Sequence, residues 1–179
     1  MLAFGIDPGS RKTGFGAVRV EGSRLIHVAS GVIRVDEDAP LSDRLVEIFE
    51  RLTTLLAEVS PERVFLESVF HHKSAQSALV LGQARGVALL AAARTGRPVG
   101  EVSPAEVKKA VTGSGRATKE QVQEMVRVLL GMQDKAPSDA ADALAVAVAG
   151  AASAKWNDMR EALGVPKGPS GGRKKGWRR

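Results

Sequence analysis

"FGIDPGSRKTGFGAV", residues 4–18, decides the fold that we predict for this chain. Apolar residues lead up to Asp7, and glycine, serine and threonine follow it at once. This order predicts a buried strand, a turn and a second strand. The first strand therefore delivers one bare carboxylate to a loop. Asp7 either binds a metal ion or caps the turn, and this stretch alone does not decide between the two.

The remaining pattern of apolar residues predicts an α/β fold with a mixed five-stranded sheet. A three-stranded antiparallel meander comes first, parallel strands follow, and helices cover both faces. Ser103-Pro104 predicts a helix start, and Thr118 with Gln121 predicts a capping box. The predicted strands are 2–6, 14–20, 25–35, 63–68 and 99–102. The predicted helices are 41–58, 74–94, 104 to about 111, 118–130 and 137 to about 153.

The composition of the chain is that of one globular domain. Its 179 residues are 44% hydrophobic and 26% charged, enough for a buried core without crosslinks. No cysteine is present, which excludes disulfides, thiolate metal sites and cysteine nucleophiles and fits a reducing cytoplasm. We see no signal peptide, and the apolar stretch "ALLAAA" near residue 91 is too short to span a bilayer. We therefore expect a cytoplasmic protein with no membrane partner.

The positive net charge of the chain comes from its C-terminal end. Six of the 26 basic residues lie in "KGPSGGRKKGWRR", residues 167–179, which holds no acid, so the remainder balances the 20 acidic residues. We predict a domain over 1–153 and a basic, disordered tail over 154–179. Such a tail can contact nucleic-acid phosphates without reading sequence, or it can serve only for solubility.

Four acidic residues are candidates for chemistry. Asp7 and Glu67 each end an apolar strand, at the edge of an α/β sheet where sites form. Asp139 and Asp142 are three residues apart and share one face of the predicted last helix. Negative charge is also favourable in the first turn of a helix, which offers a purely structural explanation for this pair.

Taken together, the four carboxylates favour a metal-dependent nuclease. Carboxylates crowded into an apolar crevice repel one another, and hard divalent cations with oxygen ligands relieve that repulsion. Two such ions can hold the attacking and leaving oxygens of an in-line phosphoryl displacement. The assignment requires that the fold bring residues together from distant parts of the sequence.

Other site types fit less well. "GSRKTG" differs from a phosphate-binding loop because residue 11 is arginine where glycine is required. ATPases of the actin and sugar-kinase kind share an aspartate-glycine-threonine hairpin, but they need a duplicated domain. His71 and His72 are adjacent, which is not a zinc-type spacing, and we predict that they lie in a loop that could touch DNA.

Four motifs together resemble the RuvC family of Holliday junction resolvases. They are "GIDPGSRKTGFG", "LESVF", "LGQARG" and "SDAADALAVA", in order within about residues 2–150. The resemblance implies an RNase H-like fold, a homodimer, and two Mg²⁺ ions per active site, with Mn²⁺ as a substitute. It implies symmetric nicking of four-way junction DNA and RuvA and RuvB as partners. The residues that match the family's catalytic acids are Asp7, Glu67, Asp139 (histidine in some relatives) and Asp142.

The resemblance also suggests DNA contacts. Phe70 matches an aromatic that the family places against bases near the crossover, and it could equally belong to the edge of the core. Lys108 and Lys119 match family lysines near the scissile backbone. Close to them in sequence are Lys73, Lys109 and Arg116. "FHHKSAQ" departs from the family pattern after the aromatic.

Gly82 and Gly86 lie four apart in a predicted helix, where each glycine costs about 1 kcal/mol relative to alanine. Close approach of a partner's helix in a two-fold dimer would offset that cost. Close approach to the chain's own sheet would do so equally well.

Two other functions stay open at this point. One is an RNase H-like single-domain nuclease that processes RNA. The other is a junction-binding module without catalysis, in which the acids serve only folding.

Overall fold

The computed structural model of the protein describes residues 1–68 and 74–163. The strands are β1 (Leu2–Asp7), β2 (Lys12–Glu21), β3 (Arg24–Arg34), β4 (Arg63–Glu67) and β5 (Val99–Val102). The helices are α1 (Leu41–Val59), α2 (Ala75–Arg94), α3 (Pro104–Thr112), α4 (Lys119–Leu129) and α5 (Ser138–Ala162). Each agrees with its predicted counterpart to within about two residues, except at the end of α5. None of these described helices is long and apolar enough to cross a membrane.

The five strands form one mixed sheet in the order β3-β2-β1-β4-β5. Strands β1, β2 and β3 pair antiparallel, whereas β1 with β4 and β4 with β5 pair parallel. This confirms the predicted meander and the parallel strands beside it. In the register of β1 and β4, Ile6 lies beside Leu66. Asp7 and Glu67 follow these two residues, so both acids lie at the same edge of the sheet.

The sheet separates two hydrophobic layers. In β1, Phe4 and Ile6 face α1 and α2, while Ala3 faces the opposite layer, which contains α3, α4 and α5. This alternation follows from the two-residue period of a strand. Side chains such as Ile6 and Leu52 are fully buried, and each contributes about 1.5–3 kcal/mol relative to an exposed position. Helices therefore cover both faces, as predicted.

Helix α5 lies directly on the backbone of β1 and β2 because glycine occupies the contact positions. A Cβ atom added at Gly5 would overlap the main chain of Ala143, and one added at Gly14 would overlap that of Asp139. Gly16 is covered by α5 in the same way. From the sequence, glycine in this stretch was interpreted as marking the turn between two strands. In the structure, these glycines permit close packing of a helix on a sheet.

The last helix is longer than predicted. It was expected to end at about residue 153, but it continues to Ala162. Residues 154–162 contain neither glycine nor proline, so nothing in the sequence stops the helix there. Ala154 is buried, and Asp158 pairs with Arg63 at 2.9 Å. The predicted division between 153 and 154 therefore falls inside α5, and residues 164–179 of the predicted tail lie outside the described residues.

Helix α2 presents a small-residue face to solvent. Gly82 and Gly86 are exposed, and a Cβ atom added at either would meet nothing within 4 Å among residues 1–68 and 74–163. The face of α2 that packs inward instead carries Ala84 and Ala88, both fully buried. The expectation that approach to the chain's own sheet explains the two glycines is therefore wrong.

Candidate active site

The four predicted acids meet at one edge of the sheet. Asp7 ends β1 and Glu67 ends the parallel neighbour β4. Gly14 pairs with Asp7 across β1 and β2, and it lets the main chain of Asp139 sit directly against β2. The first turns of α5 therefore lie over this edge and also carry Asp142. The carboxyl group of Asp7 interacts electrostatically with the other three acids.

The loop after Asp7 is closed by other residues. Thr13 is fully buried, its hydroxyl donates to Gly9 O at 2.9 Å, and Gly9 N lies 3.4 Å from the same hydroxyl oxygen. From α1, Arg44 Nη1 donates to Ser10 O at 3.2 Å. The roles of Thr13 and Arg44 were not predicted from the sequence. The only signal for Thr13 was a hydroxyl at the start of an apolar strand, and nothing pointed to Arg44.

The pKa of Asp7 distinguishes the two roles that the sequence left open. Burial first, and then the charges of Glu67, Asp142 and Asp139, raise it from 3.8 to about 7 against an opposing effect from Lys119. A carboxylate that caps a turn by accepting N–H groups shows the opposite direction. The direction of this shift therefore argues against a turn cap for Asp7.

Two other acids share this electrostatic conflict. Burial, and then the charge of Asp142, raise the pKa of Glu67, while Lys119 lowers it. Burial also raises the pKa of Asp142, even though Lys119 bonds to it and opposes the increase. One ammonium group thus offsets only part of the repulsion within the cluster.

Lys119 forms an ion pair with Asp142 inside the site. It is the first residue of α4, whose start is set by the predicted capping box: Gln121 N donates to Thr118 Oγ1 at 3.3 Å, and Thr118 N donates to Gln121 Oε1 at 2.8 Å. Burial lowers the pKa of Lys119, but the hydrogen bond and charge of Asp142 outweigh burial and raise it. Lys119 was predicted to contact DNA, and its ion pair with Asp142 was not predicted.

A cavity of about 220 Å³ opens beside the cluster. Glu67 and Asp142 line it together with Lys108 and Lys119, and apolar residues of α3, α4 and α5 complete the wall. Two carboxylates and two ammonium groups thus face one space. Such a space suits a phosphodiester, whose charge the lysines would balance.

The other predicted DNA contacts are elsewhere or not described. Lys109 and Arg116 are exposed, and neither lines the cavity that holds Glu67. Arg116 lines a separate cavity of about 600 Å³ between α3 and α4. Phe70 and Lys73, with the intervening His71 and His72, lie outside the described residues.

The donors of the cluster suit a hard divalent cation. Within residues 1–68 and 74–163, no three acid or histidine side chains form a metal-holding group as they stand. In this arrangement the acids repel one another, and Asp142 forms an ion pair with Lys119. Carboxylate oxygens are nevertheless the preferred ligands of Mg²⁺, and the raised pKa of Asp7 marks a position where added positive charge is favourable. In its donor chemistry the cluster therefore fits a hard divalent cation.

A mixed sheet of this order, with helices on both faces and acids at the ends of its central strands, defines a nuclease of the RNase H-like class. A profile of the family "Crossover junction endodeoxyribonuclease RuvC" matches residues 3–150. The chain belongs to the RuvC family, whose nuclease is metal-dependent.

Individual proteins support this assignment. The chain is 50% identical to a crossover junction endodeoxyribonuclease RuvC of Citrifermentans bemidjiense, with 89% of this chain and 97% of the relative covered. It is 53% identical to the protein of that name from Pelobacter propionicus, with 83% and 84% covered. The solved structure of "T. thermophilus RuvC in complex with Holliday junction substrate" matches with a TM-score of 0.83 and 36% identity, covering 88% and 96%.

Proposed function

We propose that Asp7, Glu67, Asp139 and Asp142 are the catalytic, metal-binding acids with which this endodeoxyribonuclease cuts Holliday junctions. The observation that carries the proposal is the burial of Asp7 among three acids remote in sequence, which raises its pKa to about 7. Membership of the RuvC family, together with two relatives at least 50% identical, favours this function over RNA processing and over binding without catalysis. Its biological setting is homologous recombination and DNA repair.

The cofactor in this proposal is a pair of Mg²⁺ ions, with Mn²⁺ as a substitute. When bound, the ions would supply positive charge at the attacking and leaving oxygens of the phosphodiester. Asp7, at the centre of the cluster, is the residue that both ions would share. Glu67, Asp139 and Asp142 would complete the ligand set.

The lysines of the site have two tasks in this proposal. Lys119 neutralises part of the charge of Asp142, and it would be free for a phosphate oxygen when Asp142 holds a metal ion. Lys108, which lines the same cavity, would hold the scissile backbone. Lys109 and Arg116, both exposed, would contact phosphates farther along the DNA arms, where each contact adds salt-sensitive affinity.

Two further DNA contacts rest on family resemblance. Phe70 would stack on a base near the crossover, as aromatic side chains do with unpaired bases. Lys73 would bind a neighbouring phosphate. The basic residues at 167–179 would add contacts that do not depend on sequence.

We also propose that the protein acts as a homodimer through the outer face of α2. This face carries exposed Leu79 and Leu90, which are 65% and 55% exposed, with Gly82 and Gly86 between them. Glycine on an exposed helix costs stability, and the close approach of a partner's helix offsets that cost. A two-fold dimer matches the symmetry of a junction and places one active site on each of two strands.

RuvA and RuvB are the partners that family resemblance implies, and the cytoplasm is the compartment that a chain without cysteine fits. A pull-down with RuvA and RuvB, in the presence and absence of junction DNA, tests the first point. If the protein associates with RuvA or RuvB without DNA and without Phe70, its proposed DNA-contacting side chain, the two proteins contact each other directly.

The experiment that tests the catalytic acids compares Asp7→Asn with wild type on a four-way junction, duplex DNA and structured RNA, each with Mg²⁺ and with EDTA. We expect the variant to bind the junction with wild-type affinity and to lose nicking, since the amide keeps the shape and removes the charge. Asp38→Asn, at an exposed acid that is not among the groups acting on the pKa of Asp7, is the matched control and should cut normally.

Each alternative has its own outcome. Nicking by Asp7→Asn at the wild-type rate would remove the metal assignment. Equal cutting of all three nucleic acids would contradict junction specificity. On a plasmid that extrudes a cruciform, a dimer should linearise the DNA in one encounter, whereas a monomer should release nicked circles.

A further inference from the structure

Arg85 lies next to one of the proposed metal ligands without belonging to the cluster. It sits in the middle of α2, and its side chain is 23% exposed. Its Nη2 atom lies 2.7 Å from Glu101 Oε2 on β5. Its Nε atom donates to the main-chain oxygen of Glu67 at 3.4 Å. One guanidinium group thus joins a helix to the ends of two neighbouring strands.

The main chain at the end of β4 has few other supports. Glu67 pairs with Val102 of β5, and Ser68 N donates to Val102 O at 2.8 Å. Residues 69–73 lie outside the described residues. On the described side of Glu67, the backbone of this acid is therefore held by the β5 ladder, by the pairing of Leu66 with Ile6 of β1, and by Arg85.

The position of Arg85 in α2 requires an explanation. Its neighbours along the inward face, Ala84 and Ala88, are fully buried, and a charged group in such surroundings is unfavourable unless it is paired. Arg85 is paired in this way, because its Nη2 contacts the carboxylate of Glu101 and its Nε donates to the main-chain oxygen of Glu67. A planar guanidinium can reach two acceptors at fixed angles, which an ammonium cannot do.

We infer that Arg85 is a positioning residue for the nuclease reaction: it holds the main chain of Glu67 so that the Glu67 carboxylate faces Asp7 and Asp142. This inference rests on the proposed metal role of Glu67. Arg85 neither lines the cavity beside the cluster nor shifts the pKa of Asp7, so in this inference it acts through Glu67. Groups that orient a metal ligand from behind set its affinity for the ion.

The test measures metal dependence rather than activity alone. Arg85→Met, Arg85→Lys and Glu101→Gln are compared with wild type by titrating Mg²⁺ in single-turnover nicking of a four-way junction. Calorimetric titration of the DNA-free protein with Mn²⁺ gives metal binding without catalysis. Junction affinity in EDTA and the thermal unfolding midpoint are measured for each variant. Arg94→Met, on the same helix and stacked 5.8 Å from the Phe49 ring, is the control for loss of an α2 arginine away from the site.

For Arg85→Met we expect the half-saturating Mg²⁺ concentration to rise about tenfold or more, with weaker Mn²⁺ binding. Junction affinity in EDTA should change less than about twofold, since Arg85 lies behind the site. Arg85→Lys should fall between wild type and Arg85→Met, because one ammonium cannot bond both acceptors. Glu101→Gln should raise the half-saturating Mg²⁺ concentration less than Arg85→Met does, since the hydrogen bond from Arg85 to Glu67 remains. Arg94→Met should leave metal dependence unchanged even where it lowers the unfolding midpoint.

Wild-type metal dependence in Arg85→Met would overturn the inference. Should Arg85→Met fail to fold, Arg85→Lys decides, and metal dependence equal to wild type in that variant overturns it. Glu67→Gln separates this inference from the proposed site. If Glu67→Gln nicks normally, the metal role of Glu67 is wrong. If it is inactive while Arg85→Met behaves as wild type, only the role of Arg85 is wrong.

Discussion

Replacing Asp7 by asparagine should stabilise the protein when no divalent metal is present. The carboxylate of Asp7 is buried and lies under the negative charge of Glu67, Asp139 and Asp142, which raises its pKa from 3.8 to about 7. A group whose pKa is higher in the folded chain binds its proton more tightly there. The contribution of Asp7 to stability is therefore fully present below about pH 3.8 and is lost as the pH rises toward and through about 7. An amide does not titrate and escapes this loss.

The magnitude follows from the same two pKa values. The difference between 3.8 and about 7 for Asp7 corresponds to roughly 4 kcal/mol as an upper limit at pH 8. Neighbouring acids that take up protons reduce it, so we expect about 2–4 kcal/mol. At pH 5 less than half of the effect has developed. For a chain of this size, the shift of the unfolding midpoint at pH 8 is on the order of 5–15 °C.

The assay is thermal unfolding followed by circular dichroism in EDTA between pH 5 and pH 8. The unfolding midpoint of the variant should rise steadily relative to that of wild type as the pH increases. This slope is diagnostic, because any cost of burying the amide itself does not depend on pH. Saturating Mg²⁺ should reverse the order, since ligand binding stabilises only the form that binds it. Asp38→Asn, in an exposed position, should show no such slope.

A difference between Asp7→Asn and wild type that stays constant over this pH range would refute the reasoning. It would mean that the charge of Asp7 is already balanced without metal. The conflict that we ascribe to the acid cluster would then not exist, and the argument for a cation site would have to rest on family membership alone.

Further predictions concern packing, the internal ion pair, the dimer and the tail. Gly14→Ala should push the start of α5 away by about 1 Å, since the new Cβ would lie 2.6 Å from a backbone carbon. It should lower the nicking rate on the order of 100-fold at unchanged junction affinity, whereas Gly31→Ala, which meets only a ring edge, should cut normally in the same gel assay. Lys119→Met should lower the unfolding midpoint in EDTA, and saturating Mg²⁺ should reduce the difference in midpoint between this variant and wild type. An equal difference in both buffers would argue against metal replacing the lysine. Gly86→Phe should fold but sediment as a monomer and turn paired nicks into single ones, and a stable dimer would exclude this face of α2. Deleting 167–179 should weaken binding to all nucleic acids and flatten its salt dependence, and loss of the preference for junctions would contradict the role given to the tail.

Much of the fold could be predicted because its signals are local. Alternating apolar residues, proline after Ser103 and the Thr118 capping box each act within a few residues of chain. The end of α5 was misjudged because nothing marks it: the pattern of small apolar residues fades after Ala154, but the helix continues. A change in composition is not a helix stop.

The acids of the candidate site could be predicted from the sequence, but the residues that contact and position them could not. Asp7 and Glu67 stood out as charges at the ends of apolar strands, which is a feature of the sequence itself. The pairing of Lys119 with Asp142 depends on how α4 packs beside α5, and no sequence spacing encodes that. Arg85 left one trace, a charge among apolar and small residues in the middle of α2, whose meaning became clear only with Glu67 O beside it.

The glycine strip beneath α5 has a consequence for how this nuclease can vary. Where a helix rests on side chains, substitutions in the core can be absorbed by repacking, and the helix drifts by small steps. At Gly5 and Gly14 the backbone of the strand contacts the backbone of α5, and at Gly16 it contacts the backbone and side chain of Leu144. Hydrogen-bonded backbone cannot repack as side chains do. The spacing between the strand-borne and helix-borne acids is thereby tied to the dimensions of the polypeptide itself, so it can stay constant while the surrounding hydrophobic residues change.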